Sequence, residues 1–301
     1  MADEGSSEGT ALWFSIVVAV VLCAGALVWG AISGSRVIVF DGVFMLLGVT
    51  MSVLSLVAAK AAASAPDARF PFGRRAVTPL AVGAQGAALL GTLVYAGLDA
   101  ILVILDGGST IDPASVLAYG VVTAVVSLAA TWWLRRAARA SQSDLVLTEA
   151  ATWQAGTVLS VVFAIGAFVA MQLTDRFPEV VVYTDPVLIL VACVGLAPVP
   201  IGLLRQAGRE LLEGAPSAEL GAAISSAVSA TAEQFGLGRV SVRSTKLGDR
   251  LYVDVDFLVE PGGWDVDEED QVRSHLSRDL RALGYDVWAN IELTTDPELL
   301  D

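Results

Sequence analysis

The stretch FDGVFMLLGVTMSVLSLVAAKAAASAPDARFPFGRRAVTPL, residues 40–80, decides how the rest of the chain is read. It opens on a carboxylate, Asp41, and then carries no charge until Lys60. A run of that length and composition suits the ~20 helical residues needed to cross about 30 Å of hydrocarbon. A charged side chain at the bilayer centre costs roughly 2.5–3.5 kcal/mol on insertion scales, so Asp41 is a functional-site candidate from its position alone. A carboxylate at the outer end of a helix, favoured by the helix dipole, is the plainer alternative. The stretch closes on a basic loop, Arg69-Phe70-Pro71-Phe72-Gly73-Arg74-Arg75, which leads into another apolar run.

Working outward, six apolar runs emerge at 10–33, 37–63, 77–105, 113–135, 145–171 and 185–212, each long enough to span a membrane. Basic residues gather in alternate links. Lys60, Arg69, Arg74 and Arg75 flank the second link, Arg135, Arg136 and Arg139 the fourth, and Arg205 and Arg209 close the sixth run. The link after run three has Asp106 and Asp112 and no basic residue. The positive-inside rule then places both termini in the cytoplasm of a multi-pass cell-membrane protein. The segment 1–9 is polar and acidic, without the basic start of a signal peptide, so the first run is expected to remain as an anchor. Trp13, Trp132 and Trp133 fall near span ends, where aromatic rings favour the headgroups. Cys23 and Cys193 both lie in apolar runs, with neither zinc-type nor disulfide-type spacing.

After residue 212 the composition becomes that of a soluble domain, 213–301. The part from residue 215 has seventeen acidic and seven basic residues, so −10 of the net −14 charge sits there. That balance argues against nucleic acid or an anionic lipid surface as a partner of this tail domain. The pattern reads α-β-β-α-β: a helix over 217–236 with apolar residues four apart, a short strand over 240–244 and a turn at 246–249. An alternating strand Leu251, Val253, Val255, Phe257 follows, then a helix over 265–282 and a last strand through Tyr285, Val287, Ala289 and Ile291. The expected fold is a bundle of six transmembrane helices (10–212) plus a small α+β domain. One sheet face would need covering, which points to a homodimer through this domain. The acids Asp265 to Asp270 open the second helix, either as dipole-favoured residues or as a weak cation sensor.

Six spans, a basic second loop and this tail resemble the cation diffusion facilitator family of metal transporters. Phe70-Pro71-Phe72-Gly73-Arg74-Arg75-Ala76-Val77-Thr78-Pro79-Leu80 is similar to the family loop H-P-F-G-H-G-R-A-E-P-L. Thr148-Glu149-Ala150-Ala151-Thr152-Trp153-Gln154-Ala155-Gly156 resembles its fifth-span motif, an acid followed by His and, four further on, Asp. The resemblance implies a metal site built from two residues on span two and two on span five, each pair four apart. Those positions here are Asp41 and Met45, Thr152 and Gly156. Asp41 is the one strong metal ligand among them, and the chain's single histidine, His275, is in the tail. The usual zinc site is therefore expected to be absent or remodelled, with Asp41, Met45, Thr152 and Gln154 as transport-site candidates. Gln85 and Asp99 are further polar residues of run three; Gln85 and Gln154 also suit interhelical hydrogen bonding.

Two functions follow. The resemblance implies proton-coupled cation efflux through an atypical site, with no resident cofactor and a divalent cation as substrate. The alternative is a non-transporting dimeric scaffold that kept the fold and lost the site. No nucleophile–base pair, phosphate loop or metal-hydrolase motif suggests an enzyme.

Overall fold

The computed structural model describes residues 4–109, 113–141 and 144–300. Asp112 lies outside the described residues, as do the side chains of Leu145, Thr148 and Ala151. Helices α1 (Glu4–Ser33), α2 (Arg36–Ala62), α3 (Val77–Leu105), α4 (Pro113–Ser141) and α5 (Asp144–Leu173) realise the first five runs. A four-residue helix α6 (Pro178–Val181) precedes α7 (Thr184–Leu196) and α8 (Pro198–Leu211), which together form the sixth. Six spans are long and apolar enough to cross a membrane, and the protein is an integral, multi-pass membrane protein. Helix α1 starts at Glu4, ahead of its apolar run, because adding turns to an existing helix costs little once it is nucleated. The sixth span is interrupted at Ala197. Pro198 and Pro200 carry no N–H to donate to Val194 and Leu196, although Ala197 keeps helical dihedrals.

The described residues pack as two compact units, Met1–Val53 with Ala87–Ile201, and Leu54–Gly86 with Gly202–Asp301. In the first, α4 and α5 form the most extensive helix pair. Its core joins Ile38 and Phe40 of α2, Tyr119 of α4, Phe163 and Ala167 of α5, and Leu188 of α7. Large apolar side chains such as Ile32, Leu105 and Val194 point outward, as suits a lipid solvent. Gly34 (φ +70°) makes the left-handed turn that ends α1 and admits the next helix.

In the second unit, α9 (Ala218–Phe235), β1 (Val240–Leu247), β2 (Arg250–Leu258), α10 (Val266–Arg281) and β3 (Asp286–Thr294) follow the expected order. The sheet runs β1-β2-β3, with β1 antiparallel and β3 parallel to β2. Strand β1 continues to Leu247, beyond the expected 244, because Thr245, Lys246 and Leu247 pair with Tyr252, Leu251 and Arg250 across a two-residue turn. Leu251, Val253, Val255 and Phe257 are buried with Leu220, Ile224 and Val228 of α9 and Val272, Leu276 and Leu280 of α10. Asp265 caps α10 in a capping box with Glu268, while Glu269 and Asp270 pair with Arg273. These acids are thus engaged within their own helix. His275 meets the Phe235 ring edge-on and faces Asp279.

The basic loop belongs to this unit. Arg75 bonds Asp249 of the β1–β2 turn and Asp286 of β3, and Arg250 bonds Asp286 and the Phe72 carbonyl. Glu210 at the end of α8 accepts from the Gly248 N–H and meets Lys246. Gln85 of α3 donates to Ser55 of α2 at 2.6 Å, the interhelical bond expected of it. Asp67 ties the loop to itself, accepting from the N–H groups of Arg69 and Phe70 and from Arg74, which lies over the Phe70 ring.

The Phe70 and Arg69 N–H groups, with Arg74 beside them, hold the Asp67 carboxyl below the usual carboxylate range. A depressed carboxylate stabilises the fold above its ordinary value near ~3.9 and loses that effect as pH falls through the depressed one. Asp67 is therefore ionised throughout the working range of trypsin, and tryptic cleavage after Arg69 is expected to be slow at about pH 8. Asp67→Ala is expected to raise it several-fold, read by timed digestion of the full chain.

Candidate functional site

The site is built at the start of α2. Ser35 precedes the helix and accepts from the Ile38 N–H. Asp185, buried in the first turn of α7, accepts from the Ser35 hydroxyl at 2.7 Å and from the Arg36 and Val37 N–H groups at 3.1 and 3.4 Å. One carboxylate thereby satisfies orphan donors at the N-terminus of α2 while lying in the favourable first turn of α7. Arg36 reaches Asp99 of α3 at 2.6 Å in a half-exposed pair.

Five residues into α2, Asp41 is 5% exposed. Its side-chain partner is the Tyr119 hydroxyl of α4, which donates at 2.5 Å. Tyr119 is held in turn by Trp29 of α1, whose ring meets it edge-on at 5.9 Å and whose indole N–H donates to Ser115. Cys23 donates to the Gly42 carbonyl. The chain neighbour of Asp41, Phe40, and its partner Tyr119 both belong to the buried apolar cluster that also holds Ala26, Phe163 and Ala167. No cationic side chain among the described residues comes within ion-pair distance of Asp41.

From Tyr119 a column of buried hydroxyls runs along α4 at four-residue spacing, Thr123, Ser127 and Thr131, with Ser160 on α5. Thr123, Thr131 and Ser160 each donate to a carbonyl of their own helix, four residues back, so their oxygen lone pairs remain as acceptors. Toward the α5 N-terminus, the buried Ser15 of α1 accepts from the Trp153 indole at 2.7 Å and donates to Glu149. Glu149 therefore bonds across to α1 from the second turn of α5.

The other candidate positions are placed as follows. Met45 is half-buried, one turn beyond Asp41. Thr152 and Gln154 are on the exposed side of α5, and the Gln154 amide oxygen accepts from Arg135 at 2.6 Å. Asp41 and Gln154 thus have different partners. Gly156 lies opposite Ser127, where an added Cβ would stand 3.9 Å from its Oγ. Gly120 differs, because a Cβ there would sit 2.8 Å from the backbone nitrogen of Ala164 on α5. Gly156→Ala is expected to be neutral or to stabilise by up to about 1 kcal/mol through helix propensity. Gly120→Ala is expected to destabilise by about 1–3 kcal/mol through overpacking. Thermal unfolding of the two purified variants in detergent reads the contrast.

Among the described residues no group of three or more His, Cys, Asp or Glu converges as a metal cluster. Tyr119 is the residue that sequence reasoning missed; Asp185 is legible as the acid that opens run six, but not its bonds to the head of α2. The spacing of Tyr119, Thr123, Ser127 and Thr131 in an apolar run was the available signal for Tyr119.

The chain is similar to known proteins both as a family and as an individual sequence. The family model for the cation efflux transmembrane domain matches residues 12–212. A curated zinc transporter, ZitB of Pectobacterium atrosepticum, is 26% identical over 216 residues, covering 71% of this chain and 64% of the relative. The match thus spans less than two thirds of that relative's length.

Proposed function

Because the chain belongs to the cation efflux family of membrane transport proteins, we propose that it moves a divalent cation out of the cytoplasm in exchange for protons, with Asp41 as the exchanging carboxylate. One observation carries this reading. Asp185 has three donors, Asp99 has Arg36 and Asp286 has two arginines, whereas Asp41, buried among apolar side chains, has one neutral hydroxyl. An ionised carboxylate in such a place keeps most of its desolvation cost. A proton or a cation offsets that cost, and the two exclude each other on one group.

The ligand atom in contact with Asp41 is the Tyr119 hydroxyl; the other oxygens offered along the bundle are the buried hydroxyls of α4 and α5, and the Met45 thioether stands one turn on from Asp41 in α2. That set departs from the imidazole and thiolate donors that zinc favours, and suits a cation held weakly by oxygen. Zinc still heads any trial, because a relative is named for it. The reading includes a homodimer through the tail. On the sheet face away from α9 and α10, Tyr252 packs against Trp288, whose side chain is about half exposed.

Proteoliposomes with an interior indicator test the proposal against zinc, manganese, cobalt and magnesium in turn. At least one of these is expected to move, faster with an opposing proton gradient. A protein that moves none of them is a scaffold rather than a carrier. Flux indifferent to the proton gradient removes proton exchange from the mechanism.

A further inference from the structure

We propose that the C-terminal end of α4 carries a binding site for the headgroup of an anionic phospholipid. The inference rests on the membrane reading of the chain and is independent of Asp41. Arg135, Arg136 and Arg139 line a cleft of about 630 Å³ with Leu128 and Trp132. These positions fall on one stripe of α4, away from the buried Leu134 and Ala138. All three arginines are exposed.

Two observations set Arg135 and the helix face below it apart from ordinary basic decoration. Arg135 donates to the neutral amide of Gln154, whereas Arg36, Arg75 and Arg250 each meet a carboxylate. The charge of Arg135 is therefore oriented by Gln154 without being neutralised by it. Below the arginines the same helix turns outward Val121, Val125, Leu128 and Trp132, the last 66% exposed. A cationic group above an exposed indole and a column of apolar side chains matches the order of phosphate, interface and acyl chain in a lipid. From Leu128 to Arg139 the helix rises about 16 Å, enough to meet both the headgroup and the upper chain of one molecule. Guanidinium forks suit the phosphate in geometry and charge, and basic pockets at helix ends bind such headgroups.

The test uses the full chain in phosphatidylcholine vesicles containing a minor fraction of phosphatidylglycerol, with brominated acyl chains on one lipid at a time. The Trp132 contribution to fluorescence is taken by difference from Trp132→Phe. Brominated phosphatidylglycerol is expected to quench Trp132 beyond its share of the bilayer. Arg136→Gln with Arg139→Gln, which leaves the Arg135–Gln154 bond in place, is expected to lower that preference by about fivefold per charge removed. The double Arg→Lys variant is expected to retain most of it. Millimolar inorganic phosphate at constant ionic strength is expected to leave it unchanged. Equal quenching by the two lipids, or an unchanged preference in the double Gln variant, overturns the proposal. Displacement by phosphate also overturns it, by assigning the cluster to a free anion. If the Gln variant fails to reconstitute, native mass spectrometry of the wild-type chain with each lipid decides, and equal retention of the two lipids overturns the site.

Discussion

Asp41→Asn is expected to abolish cation flux, by roughly tenfold or more, while leaving the protein folded. The amide is isosteric with the carboxylate and can still accept from Tyr119, so the contact between α2 and α4 survives. It can neither carry the negative charge that attracts a cation nor take up and release a proton. In a dry, low-dielectric setting the lost charge is worth several kcal/mol to a bound cation, which sets the size of the effect. Stability is expected to hold or rise, because a buried charge with a single neutral partner burdens the fold. Tyr119→Phe separates the two roles of the pair. It leaves the charge and removes the donor, so flux is expected to fall in part. The fold is expected to lose about 1–3 kcal/mol, the usual range for an orphaned buried polar group. Flux assays with both variants, alongside thermal unfolding, distinguish a carrying carboxylate from a packing one.

Asp185→Ala is expected to have the largest effect on stability. The side chain accepts from one hydroxyl and two backbone N–H groups at the head of α2, and Ser35 beside it is fully buried. Removing it leaves donors that water does not reach. Capping losses of about 1 kcal/mol combine with desolvation penalties of about 1–3 kcal/mol. A loss of roughly 3 kcal/mol follows, expressed as low yield or a fall in melting temperature in detergent. Asp185→Asn keeps an acceptor oxygen and is expected to lie between alanine and wild type. An Asp185→Ala protein as stable as wild type would mean that these bonds do not hold α2 to α7.

Much of the architecture is legible in the chain because its physics is local. A span is long and uncharged, so five of the six runs appear as single helices within a few residues of their apolar limits at most of their ends. Pro198 and Pro200 show why the sixth is interrupted. The tail elements follow from alternation and from helix caps such as Asp265. The site was less legible. Asp41 stands out as a carboxylate at the head of an apolar run, but its partner lies 78 residues away, and which face of α4 meets α2 depends on helix rotation. The hydroxyl spacing of Tyr119, Thr123, Ser127 and Thr131 announces a polar stripe without saying what it opposes. The same holds for Gln154, whose position near the fifth-span motif says nothing of Arg135. Arg75 reads as a basic loop residue, and its bonds to Asp249 and Asp286 emerge only once the loop and the sheet are folded together.

The central claim is that a cation and a proton compete for Asp41. Its most direct test counts protons released when the transported cation binds to the purified protein, by calorimetry in two buffers of different ionisation enthalpy. The wild-type protein is expected to release about one proton per cation at a pH where the apo carboxyl is protonated. Asp41→Asn is expected to release none and to bind the cation weakly. Equal affinity and equal proton release in wild type and Asp41→Asn would contradict the account and place the exchange elsewhere in the chain.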